Sequence, residues 1–246
     1  MTVLPFLASI LLSVCTTTVP ADRLTSQTKD GRFWWKEAHE RILSDKAALG
    51  QKIDFVLVGD SITYNWRRDK GTSYFGKVTK PLGKEVADRR FAGYRWLNCG
   101  IGGDGTRQVI WRIRHGALDG FTTPLVALMI GTNDRADSAE DVATGIAEIV
   151  RLIREKHPES KILLSPIIPR FPREDDPGDM NAKNRRTNGI IRRLCDGKSV
   201  VWLDWGSLLC KPDGAPDEKF YYDREHPAGP GYERWADALI PHLVGD

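Results

Sequence analysis

"FVLVGDSITYNW", residues 55–66, is an apolar run that stops at Gly59-Asp60-Ser61 and passes at once into a helical pattern. An apolar run without alternation suits a strand buried on both faces. A strand that delivers a serine onto a sharp turn is one way to expose a nucleophile. It is also an ordinary strand-to-helix connection, so partners elsewhere in the chain must decide between the two readings.

Four more runs of the same kind follow: "RWLNCG" from 95, "LVALMIG" from 125, "KILLSP" from 161 and "VVWLD" from 200. Helical patterns accompany them. Residues 33–49 place Phe33, Trp34, Ala38, Ile42 and Leu49 broadly on one side, and "EDVATGIAEIVRLIREKH" repeats Val142, Ile146, Ile149 and Ile153 at helical spacing. "TRQVIWRIRHGAL", "NAKNRRTNGIIRRLC" and the closing "GYERWADALIPHL" behave alike. Strands alternating with helices predict βαβ units, hence an α/β fold with a five-stranded parallel sheet and helices on both faces. Residues 67–94, 169–180 and 211–230 read as the long irregular stretches. No repeat or low-complexity tract interrupts the pattern.

With 246 residues, 41% of them apolar, the chain is long enough for a sizeable core, and its formal charge of +3 is not that of a nucleic-acid binder. The stretch "VLPFLASILLSV" followed by "VPA" before Asp22 predicts a secretory signal over residues 1–21 and one domain over 22–246, although no Lys or Arg precedes the apolar run. An uncleaved anchor is the alternative, but the run falls short of the roughly 20 residues a span needs. A secreted or periplasmic protein without stable membrane insertion is expected. Val14 makes "LSVC" a poor lipid-attachment site. Cleavage leaves Cys99, Cys195 and Cys210, of which Cys195 and Cys210 could bridge in an oxidising compartment. No Cys/His cluster has zinc-site spacing.

In an open parallel sheet, chemistry collects beyond the carboxyl ends of the strands. There the sequence places Gly59-Asp60-Ser61, "NCGIGGDGT" (98–106), "GTND" (131–134) and, past the last run, "YYDREHPAGPGY" (221–232). Acyl transfer needs a nucleophile, a base, a group to orient the base and donors for the oxyanion. Ser61 is the candidate nucleophile. His39, His115, His157 and His242 fall in or at the ends of helical patterns and read as surface or satisfied residues. His226 lies in a Pro/Gly-rich loop with Asp223 three residues upstream, a spacing that lets a carboxylate hold one ring nitrogen while the other faces outward. The Ser61 and Gly103 amides and the Asn133 side chain are candidate oxyanion donors; the plainer readings are a tight turn at Gly102-Gly103 and a helix cap at Asn133.

The blocks "GDSI", "GIGGD", "GTND" and "DREHP", in this order, resemble the signatures of the SGNH, or GDSL-like, hydrolase superfamily. "LNCGIGGDGTRQVIWRIRHGAL" and "PRFPREDDPGDMNAKNRRTN" are similar to its platelet-activating-factor acetylhydrolase branch and related bacterial esterases. The resemblance runs from about residue 33 to 243. It implies a flavodoxin-like three-layer α/β/α sandwich. It also implies Ser61 as nucleophile, His226 as base oriented by Asp223, an oxyanion hole of Ser61, Gly103 and Asn133, and no metal or organic cofactor. The chain departs from the family at Ile62, where the family name has Leu, and at Arg224-Glu225, where relatives usually carry an apolar residue before the histidine; Asp134 follows Asn133 as in many relatives, although the acetylhydrolase branch tends to carry a second Asn there.

Members of this superfamily act on acetylated sugars, lipids and thioesters. Here the loops are polar, and residues 67–95 carry nine Lys/Arg against three Asp/Glu. The pattern fits a solvated face or, more sharply, a surface that attracts acidic polysaccharide. The expectation is a short-chain esterase acting on O-acetylated carbohydrate. Asp60, Trp66, Asp134 and Arg224 are the candidate substrate contacts, with Trp66 and Trp205 as stacking surfaces. The partner is a small-molecule or polysaccharide ester. A lysophospholipase, thioesterase or phospholipid acetylhydrolase on the same residues is the alternative. A non-catalytic carbohydrate-binding module is disfavoured by the intact Ser, Gly, Asn and His set. A nucleotide binder is weaker still, because "GIGGDG" lacks a P-loop lysine.

Overall fold

A computed structural model describes residues 34–68 and 82–243. The stretch read as a secretory signal and the centre of the basic segment after Arg68 lie outside the described residues. The five apolar runs form five strands: β1 Phe55–Gly59, β2 Trp96–Gly100, β3 Leu125–Met129, β4 Lys161–Leu164 and β5 Val200–Trp202. Every neighbouring pair is parallel, and the order across the sheet is β2-β1-β3-β4-β5.

The helices are α1 Trp34–Leu49, α2 Ser61–Tyr64, α3 Gly83–Arg90, α4 Thr106–Arg112, α5 Ala139–Lys156, α6 Met180–Ile191 and α7 Gly229–Leu239. Strand residues alternate between two cores. Val56, Val58, Leu97, Leu128 and Ile162 meet α1, α4, α5 and α6 on one face. Phe55, Leu57, Ala127, Met129 and Leu163 meet α2, α3 and α7 on the other. Both faces are therefore dry, which is why the strands read as unbroken apolar runs. The result is the expected α/β/α arrangement. Helix ends follow local chemistry. Ser138 caps α5 by accepting the Asp141 N–H, acidic Glu140 and Asp141 fill its first turn, and Arg154 and Lys156 fill its last.

Three expectations need correction. The segment 67–94 is not wholly irregular: α3 forms within it, and only Val86 and Ala87 of "GKEVADRR" supply its apolar contact, too few to register as a periodic pattern. The deepest face of α1 is Trp35, His39 and Ile42 rather than the stripe beginning at Phe33 and Trp34. Phe33 itself lies outside the described residues. Cys195 and Cys210 stand as free thiols, as does buried Cys99. His39 and His157 are buried, and desolvation pushes the His39 imidazole down to about 4.

The winding reverses after β2: the chain moves outward from β1 to β2, then crosses back to place β3 on the other side of β1. Such a reversal opens a crevice beyond the carboxyl ends of the two central strands. The loops after β1, β2 and β3 converge there.

Candidate active site

Ser61 is placed by the end of β1. The Asp60 carboxylate accepts the Ile62 N–H at 2.9 Å, so Asp60 caps α2 and Ser61 becomes its first residue. At that position the serine amide has no intrahelical partner. The turn packs directly on β2: a Cβ at Gly100 would overlap the backbone of Thr63 and Tyr64. Only glycine permits that approach.

The loop before α7 brings the imidazole to the hydroxyl. Asp223 Oδ1 accepts the N–H groups of Glu225 and His226 at 2.8 and 2.7 Å, folding the loop around its own carboxylate. Asp223 Oδ2 lies 2.8 Å from His226 Nδ1, and His226 Nε2 lies 2.8 Å from Ser61 Oγ. With Nδ1 donating to the carboxylate, Nε2 is the basic nitrogen and accepts the serine O–H. Burial works to lower the His226 pKa, but the bond to Asp223 and the negative fields of Asp223, Glu225 and Asp60 outweigh it, and the net shift is upward. For Asp223, burial acts upward, and bonding to His226 and to backbone N–H groups carries the net shift downward. Carboxylate and imidazole thus favour their charged forms in each other's company.

The loop after β2 runs beside the serine. A Cβ at Gly102 would sit 4.0 Å from that of Ser61, and Gly103 has φ +76°, which glycine adopts without strain. Neither the Ser61 nor the Gly103 N–H finds an acceptor among the described residues. Asn133, after β3, donates one amide hydrogen to the Asp104 carbonyl at 2.9 Å, which ties it to the same loop; no second bond from that nitrogen is made among the described residues. A carbonyl held between Ser61 and these donors would develop its negative charge among preoriented hydrogens.

A buried network fixes this loop. Arg112 of α4, fully enclosed, donates Nε to Asp104 at 2.8 Å, Nη1 to the Cys99 carbonyl at 2.8 Å and Nη2 to the Gly59 carbonyl at 3.1 Å. Trp35 of α1 donates its indole N–H to the other Asp104 oxygen at 2.7 Å. One guanidinium therefore joins the ends of β1 and β2 to the glycine loop.

The four proposed substrate contacts fare differently. Trp66 is 0% exposed, packed against Phe91, Tyr232 and Trp235, and it serves the core. Trp205 is equally buried and stacks on Trp235 at 4.5 Å. Neither can stack on a sugar. Asp134 is buried and accepts the Thr106 N–H and hydroxyl at 3.0 Å, which anchors the start of α4; burial pushes its pKa up to about 6 against those bonds. Asp60 is buried beneath the serine, and desolvation raises its pKa to about 7 against the Ile62 N–H bond. Both carboxyls act through backbone rather than on a ligand. Arg224 is exposed and donates to the Pro172 carbonyl at 2.6 Å, at the edge of the site.

Tyr222 escaped the sequence reading, and Glu225 entered it only as a charge before the histidine. The Tyr222 ring stacks near-parallel on His226, with centroids 5.5 Å apart. Glu225 accepts the Thr132 hydroxyl at 2.9 Å and pairs with Arg173 at 3.4 Å, so the charge before the histidine ties its loop to the β3 loop. The adjacent tyrosines of "YYDREHP" were a signal for Tyr222. Arg112 and Trp35 gave none, lying 8 and 69 positions from Asp104 inside helical patterns.

The model of the GDSL-like lipase/acylhydrolase family matches residues 57–234, from β1 into α7 and across every residue that lines the crevice. The chain belongs to that family. It is a carboxylic ester hydrolase. Human platelet-activating factor acetylhydrolase IB subunit alpha1 is 29% identical over 216 residues, covering 87% of this chain and 84% of that protein. Among solved structures, a GDSL-like lipase from Bacteroides thetaiotaomicron superposes with a TM-score of 0.67 at 20% identity, over 83% of this chain and 96% of that one. An acetylxylan esterase from Geobacillus stearothermophilus reaches a TM-score of 0.56 at 20% identity, over 80% and 97%. Within the GDSL-like fold, Asp134 and Glu225 both serve as ties, Asp134 to the start of α4 and Glu225 to the β3 loop.

Proposed function

We propose that this hydrolase removes acetyl groups from carbohydrate through an acetyl-Ser61 intermediate. The observation that carries the reading is the line Asp223–His226–Ser61, with both contacts at 2.8 Å. Ser61 Oγ attacks the ester carbonyl carbon while His226 Nε2 takes its proton. Asp223 holds the ring and balances the imidazolium. The oxyanion settles among the Ser61 and Gly103 amides and the free hydrogen of Asn133. On collapse, His226 returns the proton to the departing alkoxide. It then removes one from the water that attacks the acetyl carbon, and Ser61 leaves with its proton restored.

The rim favours a small acyl group on a hydrophilic alcohol. Around the crevice the described loops present Arg173, Asp175, Arg135 and Glu225, linked in ion pairs from 2.9 to 3.4 Å. Burying a fatty chain against these charges would strand them from water. The relatives at 29% identity are named for acetyl hydrolysis, and the acetylxylan esterase acts on an acetylated polysaccharide by name. The apolar N-terminal stretch supports export, where such polymers are met; a secreted form beginning at Asp22 would bear this out.

The test is acetate release from acetylated xylan, together with rates on p-nitrophenyl acetate and octanoate, using Ser61→Ala as control. Release from xylan and a strong preference for acetate are expected, with both lost in the variant. Faster turnover of octanoate would favour a lipid substrate instead, and equal hydrolysis by wild type and Ser61→Ala would remove the serine mechanism.

A further inference from the structure

Beyond the crevice, the described residues line a cleft of about 720 Å3, open on one side to solvent, between α6 and the segments that follow β4 and β5. It is separated from His226 by the extended stretch 166–172. One side of that stretch faces the active site: the Pro169 carbonyl accepts the Tyr221 hydroxyl at 2.6 Å, and the Phe171 N–H donates to Arg224 at 2.8 Å. The other side is fastened to α6 by two asparagines, each used twice. Asn188 accepts the Ile167 N–H and donates to its carbonyl, at 2.8 and 2.9 Å. Asn181 does the same for Arg170 at 3.1 and 2.7 Å.

Asn184 sits between them on the same helical face and lines the cavity. It is 2% exposed, and neither its carbonyl oxygen nor its amide nitrogen has a partner. Midway along the fastened stretch, Pro169 has no N–H to give, and its carbonyl accepts from Tyr221. A buried amide with both functions unmet is costly unless something satisfies donor and acceptor together. The cavity also holds Trp202, whose indole N–H is likewise unpartnered, with Arg192 lying over its ring at 5.6 Å. Arg185 has no ion pair among the described residues. Asp204 and Asp213 each engage backbone N–H groups through Oδ1, leaving Oδ2 able to accept.

We propose that this cavity is a second binding site, for the neutral glycan chain of the substrate. Two guanidinium groups and two carboxylates balance one another, so neither a strong anion nor a cation is favoured. A wholly apolar ligand would leave Asn184 unmet. Adjacent hydroxyls supply donor and acceptor together, which suits Asn184 and both aspartates, and a volume of this size falls in the range of ordinary ligand sites. The choice of ligand rests on the carbohydrate-ester reading; the site itself rests on the cavity and its unmet amide.

Gly189 provides a clean perturbation. It lines the cavity, and a Cβ there meets nothing within 4 Å, so Gly189→Trp plugs the space without disturbing the core. Asn184→Leu removes the amide at similar volume. Xylohexaose binding is measured by calorimetry on wild type and both variants, beside KM for acetylated xylan and the rate on p-nitrophenyl acetate. Expected are millimolar or tighter binding to wild type, loss of it in Gly189→Trp, a roughly tenfold higher KM for xylan, and an unchanged p-nitrophenyl acetate rate. If wild type binds no xylohexaose, or if Gly189→Trp binds it equally, the site is refuted even where acetate is released. Binding that Gly189→Trp abolishes, in a protein that releases no acetate from xylan, keeps the site and sinks the proposed substrate instead. Should Asn184→Leu fail to fold, Gly189→Trp decides alone.

Discussion

The buried pair of Arg112 and Asp104 offers the sharpest test of how the site is held together. Their side chains are 1% and 0% exposed, and the guanidinium also satisfies the carbonyls of Cys99 and Gly59. Arg112→Met fills comparable space but leaves the Asp104 carboxylate without its buried counter-charge. Breaking such a pair from one side costs about 3–5 kcal/mol. A chain of this size loses roughly 2–4 °C of Tm per kcal/mol, so the variant should melt about 6–20 °C below wild type. In the double variant Asp104→Asn/Arg112→Met, no charge is buried and the asparagine can still accept from Trp35. It should recover at least half of the loss, because neighbours in one network are not additive. Thermal melts followed by circular dichroism give the stability. The rate on p-nitrophenyl acetate gives the function, and it should fall in both variants because the ends of β1 and β2 lose their common donor. A single variant within 2 °C of wild type, or a double variant whose loss equals the sum of the singles, would refute the reasoning.

Other predictions follow from the same geometry. Asn133→Ala removes one oxyanion donor and should lower kcat about 10²–10³-fold with little change in KM; an unchanged kcat would take Asn133 out of the mechanism. Glu225→Gln keeps an acceptor for Thr132 and removes a negative charge that favours the imidazolium of His226. The acid limb of kcat/KM reports His226 losing its proton in the free enzyme. It should therefore move to lower pH, and an upward or absent shift would contradict the assignment. Trp66→Ala should destabilise the protein by about 3–5 kcal/mol, as expected for a buried aromatic. Its KM for acetylated xylan should stay within twofold under conditions where it remains folded; a selective rise in KM would return Trp66 to the substrate.

The sheet was legible because both its faces are buried, which turns each strand into a plain apolar run ending in glycine or a polar turn. That Ser61, Asp223 and His226 meet was legible because each sits in a short polar block at the strand ends or before the last helix, and the blocks together resemble one family's signatures. Trp66 misled because adjacency to Ser61 in sequence says little about facing: it lies one turn further along, where the helical path points the ring into the core. Asp60 and Asp134 misled for a related reason. Both flank the crevice, but their carboxylates are committed to the N–H groups that begin α2 and α4. Arg112 and Trp35 left no local trace, since a contact between a helix interior and a distant loop is written only in the tertiary fold. Helix α3 was hidden by its thin apolar stripe.

The indole that steadies Asp104 comes from α1, a helix that precedes residues 57–234, the stretch the family model matches. Trimming the protein to that shared core, as one does when grafting an enzyme module onto another scaffold, would discard a strut of the glycine loop while leaving every catalytic signature in place. Such a minimal version would pass inspection by motif and underperform at the bench, and restoring residues 34–49 should repair it.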